Sequence, residues 1–206
     1  MTDLIPLENL DKEHLLKESK SFCMMPWVHV YQGPNGDHGG CCIGGTGVIK
    51  HTDSLDELIN SPEMKQLRKD MLNDVLNDTC KMCHNHEEMM GQSARISNNH
   101  CYTHAFDEAL LNTREDGTIE NFKMRYFDMR FSNICNFKCR SCGPGFSSQW
   151  AAEIKKHNIS DDMSNGGIIA VTQNDLIDDV LDQIPNFERV YFAGGEPLMI
   201  KEHKMF

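Results

Sequence analysis

Cys135-Asn-Phe-Lys-Cys139-Arg-Ser-Cys142 gathers three thiols into one short loop. Three thiolates can hold three irons of a cubane iron-sulfur cluster and leave the fourth iron without a nearby protein ligand. Electron-transfer ferredoxins close every iron with cysteine and use Cys-x2-Cys-x2-Cys, so the three-residue first gap departs from them. The competing reading is three-quarters of a structural zinc site completed by a histidine. Upstream, Tyr126, Asp128, Arg130 and Ser132 alternate with Phe127, Met129 and Phe131, the period-two pattern of a strand with unlike faces. Downstream, Gly143-Pro144-Gly145 breaks the chain, and Ser147 or Ser148 can cap a helix through Trp150, Ala151, Ile154 and Lys155. Strand, cysteine loop and helix make a β/α unit, with the cysteines at the carboxyl end of the strand, where such units place ligands.

A second unit follows. Asn174 opens a capped helix with Leu176, Ile177, Val180, Leu181 and Ile184 on one side, and Pro185-Asn186 stops it. Arg189 to Ala193 reads as a strand ending in Gly194-Gly195-Glu196-Pro197. Two glycines let a charged ligand approach the backbone, and Glu196 can accept hydrogen bonds from an ammonium. With both motifs in place, residues 125–206 resemble the radical SAM superfamily. The resemblance implies that Cys135, Cys139 and Cys142 ligate a 4Fe-4S cluster whose fourth iron is chelated by S-adenosylmethionine, and that Gly194, Gly195, Glu196 and Pro197 help seat its methionine moiety. It further implies reductive cleavage to a 5'-deoxyadenosyl radical, an electron donor such as flavodoxin or ferredoxin, and the α/β fold of a (β/α)6 barrel. Only two of the six units fall before Phe206, so the barrel is expected to be incomplete: a truncated product, or half of an enzyme completed by a second polypeptide.

Upstream, residues 1–20 form an extension with a short amphipathic helix around Asp11 to Lys20, marked by Leu10, Leu15 and Leu16 among charges. From Phe22 the text changes. Cys23-Met-Met-Pro26-Trp27-Val-His-Val-Tyr31 reads as a cysteine at a turn followed by a strand, Gln32 to Gly40 as a reversal, and Cys41-Cys42-Ile43 as the start of a return strand. Such a hairpin brings Cys23 back toward Cys41 and Cys42. Asp53-Ser54 then precedes two short helices, or one bent helix, broken at Ser61-Pro62 and running to Val75, before Cys80-Lys-Met-Cys83. Residues 21–104 as a whole resemble the Twitch domain, a shortened relative of SPASM and a small α+β module. That implies a second, auxiliary 4Fe-4S cluster on Cys23, Cys80, Cys83 and either Cys41 or Cys42, with Cys42 slightly preferred. On the cysteines alone a zinc ribbon-like site with His84 and His86 nearby reads almost as well. Relatives with auxiliary modules often act on peptides or proteins, which makes peptide modification the implied activity.

Residues 105–124 are expected as a linker, with a short helix over Phe106 to Leu111 and a turn at Glu115-Asp-Gly117. His84, His86, His100 and His104 read as surface or linker histidines rather than as a site. Ser160 to Gly167 reads as a polar, mobile insertion. The formal charge of −11 and pI near 5.3 argue against a nucleic-acid surface, which needs clustered Lys and Arg. No apolar run reaches membrane-spanning length and the start is acidic and interrupted, so a cytoplasmic protein with no membrane partner is expected. There, nine cysteines are better read as metal ligands than as disulfides. Two readings of other classes remain: a non-catalytic zinc-binding interaction module, and an iron-sulfur electron carrier.

Overall fold

The computed structural model describes residues 3–4, 6–44, 54–159, 167–170 and 175–206. Ile5, Asp53, most of the insertion at 160–167 and the capping residue Asn174 lie outside the described residues.

Within them a four-stranded mixed sheet organises the chain. Its strands are β1 (His29–Gln32), β2 (His38–Gly39), β3 (Tyr126–Met129) and β4 (Arg189–Val190), in the order β2-β1-β3-β4. The hairpin is present: β1 and β2 pair antiparallel with Gln32 opposite His38. The return strand precedes Cys41 rather than containing it. β1 also runs parallel to β3, with His29 opposite Tyr126 and Gln32 opposite Met129, and β3 runs parallel to β4. The cysteine-bearing hairpin and the strand before the second cysteine loop therefore share one sheet.

β3 has the two unlike faces its alternation predicts. Phe127 and Phe131 are buried among Phe187, Phe192 and Phe206, with ring centroids 4.5–6.5 Å apart. On the other face His29 stacks on Tyr126 at 4.8 Å, and Arg130 lies over the Tyr31 ring at 4.9 Å. Burial of the aromatic face drives this packing; the stacked pairs add about 1 kcal/mol each beyond area.

The helices follow their caps. α1 (Met25–Val28) is a single turn where a strand was expected, because Pro26 at its start fixes a helical φ and removes a donor. α2 (Leu55–Ile59) starts at Ser54, whose hydroxyl accepts from Glu57 N. α3 (Pro62–Leu72) starts at Ser61, whose hydroxyl accepts from Met64 N. The break at Ser61-Pro62 thus separates two helices, and Val75 lies beyond the second, half exposed. α4 (Lys81–Met90) carries Cys83 and ends at Gly91 in the left-handed region, and α5 (Ala94–Cys101) follows from its Ser93 cap. α6 (Phe106–Leu111) falls on its expected residues. α7 (Ser148–Lys156) is capped by Ser147, and α8 (Asp175–Leu181) buries Leu176, Ile177 and Val180. Near the start, residues 14–18 form a helical turn closed from Ser19 N to His14 O.

Residues 105–124 contribute Ala105, Phe106, Leu110, Ile119, Phe122 and Met124 to the same apolar core as α1, α3 and β3. Arg68 on α3 is fully buried and donates to Pro26 O and Gly117 O, tying α3 to both segments. No helix among the described residues is long and apolar enough to cross a membrane.

Candidate functional site

Four cysteines line one pocket at the end of the hairpin: Cys23 before α1, Cys41 after β2, and Cys80 and Cys83 around the start of α4. Its other walls are largely apolar, with Met25, Pro26, Leu67 and Met71 among them. Cys42 does not line it. The adjacent residue turns instead toward Tyr31, Asp128 and Arg130 on the polar face of the sheet. The chain bends at residues 42–44, and the Cys42 thiol lies within hydrogen-bond reach of the Cys41 sulfur from outside the pocket lining. The pocket lining therefore includes Cys41 and not Cys42, the one slightly preferred from the sequence.

Burial is the main force on the thiols. It pushes Cys23 and Cys83 up and Cys80 up to about 12, partly offset at Cys23 by the Met25 backbone N–H and at Cys83 by that of Arg95. Cys41 goes the other way, to about 6, because the Cys42 thiol donates to it and the backbone N–H groups of Ile43 and Gly44 assist. Backbone N–H groups aimed at three of the four sulfurs fit a thiolate-ligated cluster, since such bonds stabilise thiolate and tune cluster potential. Among the described residues, no three His, Cys, Asp or Glu side chains are drawn together to single-ion distance. The cysteines stand around a pocket instead of around a point. His100 and His104 are exposed, and His104 pairs with Glu188.

The second cysteine loop lies at the carboxyl end of β3. Cys135 is buried, Cys142 partly buried and Cys139 exposed. The loop is held by side chains flanking it. Ser148 Oγ accepts from Cys135 N and donates to Cys135 O, both at 3.1 Å. Asn133, fully buried, donates to Pro144 O and Gly167 O and accepts from Ile169 N. Trp150 Nε1 donates to Cys139 O at 3.0 Å, and Cys142 N bonds to Cys139 O at 3.1 Å. Phe137 N–H points at the Cys135 sulfur at 3.3 Å.

Gly194-Gly195-Glu196 packs onto this loop. Glu196 N donates to Ile134 O at 2.7 Å, and Glu196 Oε1 accepts from Leu198 N at 3.1 Å, capping the short turn Pro197–Met199. Gly194 and Gly195 have φ of +79° and +40°. A Cβ on Gly195 would fall 2.2 Å from Ile134 O, and one on Gly194 2.7 Å from the Arg130 Cβ. Only glycine allows this approach. Arg130 is braced by Asp128 at 3.1 and 3.3 Å and lies between the Tyr31 and Phe146 rings. Tyr31, Cys42, Asp128 and Arg130 thus bridge from the four-cysteine pocket to the glycine motif.

Sequence reasoning missed Asn133 and the double role of Ser148, and on the other pocket Arg95 and Asn99. The only signal was Ser148 as a candidate cap; buried polar residues that pin backbone leave no periodic pattern.

Four thiols around one pocket, three of them with backbone N–H groups directed at the sulfur, fit the class of cluster-binding centres. Residues 23–84 match the family model for SPASM, an iron-sulfur cluster-binding domain. The match begins on Cys23 and ends one residue past Cys83. It supports an auxiliary cluster domain of the radical SAM-associated kind in this segment. No curated protein and no solved structure matches the chain.

Proposed function

We propose that the chain is the radical SAM portion of an enzyme that modifies a peptide or protein. Cys23, Cys41, Cys80 and Cys83 hold an auxiliary 4Fe-4S cluster. Cys135, Cys139 and Cys142 hold a second cluster with an open iron for S-adenosylmethionine, and Gly194, Gly195, Glu196 and Pro197 seat its methionine end. The observation that carries this reading is the Glu196 N to Ile134 O bond, which fixes the glycine motif against the cysteine loop as one site.

When bound, the open cluster supplies the electron that cleaves S-adenosylmethionine to methionine and a 5'-deoxyadenosyl radical. The chain's own contribution is positional. Asn133, Ser148 and Trp150 hold the backbone of the loop that carries the three thiols. Gly194 and Gly195 let the motif's backbone lie directly against the cysteine loop and Arg130, and Glu196 offers carboxylate oxygens to an ammonium. Arg130 and Tyr31 stand between the two centres, on the face a substrate would share with both. The outer edge of β4 carries exposed Val190, Tyr191 and Phe192, surface that a further strand from a second polypeptide or from the rest of a barrel would cover. A flavodoxin- or ferredoxin-type donor would supply the electron.

Anaerobic reconstitution tests the reading. Roughly eight irons per chain are expected, with a reduced-cluster EPR signal that shifts on adding S-adenosylmethionine. Bound zinc without visible absorbance, or a signal indifferent to S-adenosylmethionine, would overturn it.

A further inference from the structure

The four-cysteine pocket is bordered by a charged pair that lies outside the matched segment. Arg95 on α5 lines the pocket and is 6% exposed. Its guanidinium is fully engaged. Nε and Nη2 donate to the two Glu87 carboxylate oxygens at 2.8 and 2.6 Å, and Nη1 donates to Ser19 O and Phe22 O at 2.7 and 2.9 Å. Glu87 stands one helical turn beyond Cys83 on α4, and Ser93 Oγ donates to it at 2.5 Å. One turn beyond Arg95, Asn99 accepts from Met24 N at 2.9 Å and donates to Phe22 O at 3.0 Å, so it grips the backbone on both sides of Cys23. The Arg95 backbone N–H is itself directed at the Cys83 sulfur.

These contacts join the first and last cysteines of the set through one helix. A buried guanidinium in a fork with a carboxylate is costly to assemble, and its geometry here is close to ideal. It also places one positive and one negative charge at a site whose cargo changes charge by one electron. Cluster potentials respond to nearby net charge and to hydrogen bonds at sulfur.

We infer that Arg95 and Glu87 are positioning residues that set the potential of the auxiliary cluster by charge balance, while Asn99 fixes the Cys23 loop without contributing charge. The inference rests on the auxiliary-cluster reading above. Removing the cation leaves Glu87 uncompensated and disfavours the more negative, reduced cluster. Removing the anion does the reverse.

The test uses the full chain carrying C135A, C139A and C142A, so that the auxiliary signal alone is read by EPR-monitored redox titration. Arg95→Gln should move the midpoint to more negative potential and Glu87→Gln to more positive potential, with the double variant returning toward the parent. Arg95→Lys, which keeps the charge and loses the fork, should retain the parent midpoint with lower iron content. Asn99→Ala should lower iron retention and leave the midpoint in place. Midpoints that do not move, or that shift with the same sign in both Gln variants, overturn the inference with the cluster assignment intact. A parent that binds no iron-sulfur cluster in this background overturns both.

Discussion

The sharpest commitments fall on single residues. A methyl group at position 195 would meet the Ile134 carbonyl oxygen at 2.2 Å in a backbone already at positive φ. Neither atom belongs to a flexible side chain, so the loop leading to Cys135 has to move. Gly195→Ala should lose S-adenosylmethionine binding, measured by loss of the EPR shift, and cost about 2 kcal/mol or more in a denaturant titration. Retained binding in a folded variant would detach the glycine motif from the cysteine loop. The neighbouring cysteines give a second residue-level contrast. Cys41→Ser should remove roughly four of the eight expected irons, whereas Cys42→Ser should leave the iron content unchanged, because only the first thiol faces the pocket. Iron analysis after anaerobic reconstitution decides it. Nothing in the dipeptide itself distinguishes the two; the distinction arises from which side of the segment meets α3 and α4.

At the scale of elements, β1 has a titration built into it. His29 is fully buried, donates from Nδ1 to Tyr126 O at 2.8 Å and leaves Nε2 without a protein partner. Burial lowers its pKa to about 4. The unfolded chain therefore takes up a proton on this ring between pH 6.5 and about 4 while the folded chain resists, so stability is present above pH 6.5 and drains away as pH falls through that window. The full loss approaches about 3 kcal/mol. Urea titrations of the apo-protein at pH 7.5 and 4.5 should show this slope, and His29→Gln should flatten it by about 2 kcal/mol. An unchanged slope would mean that His29 is accessible to water in the folded state. The same strand shows where sequence legibility ends. α2, α3 and α7 are readable because Ser54, Ser61 and Ser147 cap their helices and apolar residues recur on one side; α6 has no side-chain cap and is readable from its apolar residues alone. β1 is recognisable as extended, but its parallel partner β3 lies about a hundred residues away, and no local pattern encodes a non-local pairing. α4 and α5 escape notice for a different reason. Their inward residues include Cys83, Arg95 and Asn99, so a face that binds sulfur and backbone carries no hydrophobic stripe to detect.

For the whole molecule, the shared sheet sets the cooperative unit. β3 is flanked by β1 on one side and β4 on the other, and the two cysteine sites sit on segments joined by the β1–β3 pairing. Arg125, just before β3, makes ion pairs to Glu108 on α6 and to Glu188 before β4, so charge links the halves along with the core. A fragment comprising residues 125–206 loses β1, exposes one long edge of β3 and uncovers Met129, which is buried in the full chain. A two-stranded remnant with one helix layer cannot bury enough apolar surface to offset its conformational entropy. The fragment should therefore melt without a cooperative transition and bind a hydrophobic dye, while residues 1–206 unfold in one step. Circular dichroism and dye fluorescence on the two chains make the comparison. A sharp, dye-free transition in the fragment would mean that the sheet is divisible at β1–β3, and the four-cysteine hairpin would then be an appended module instead of an edge of the shared sheet.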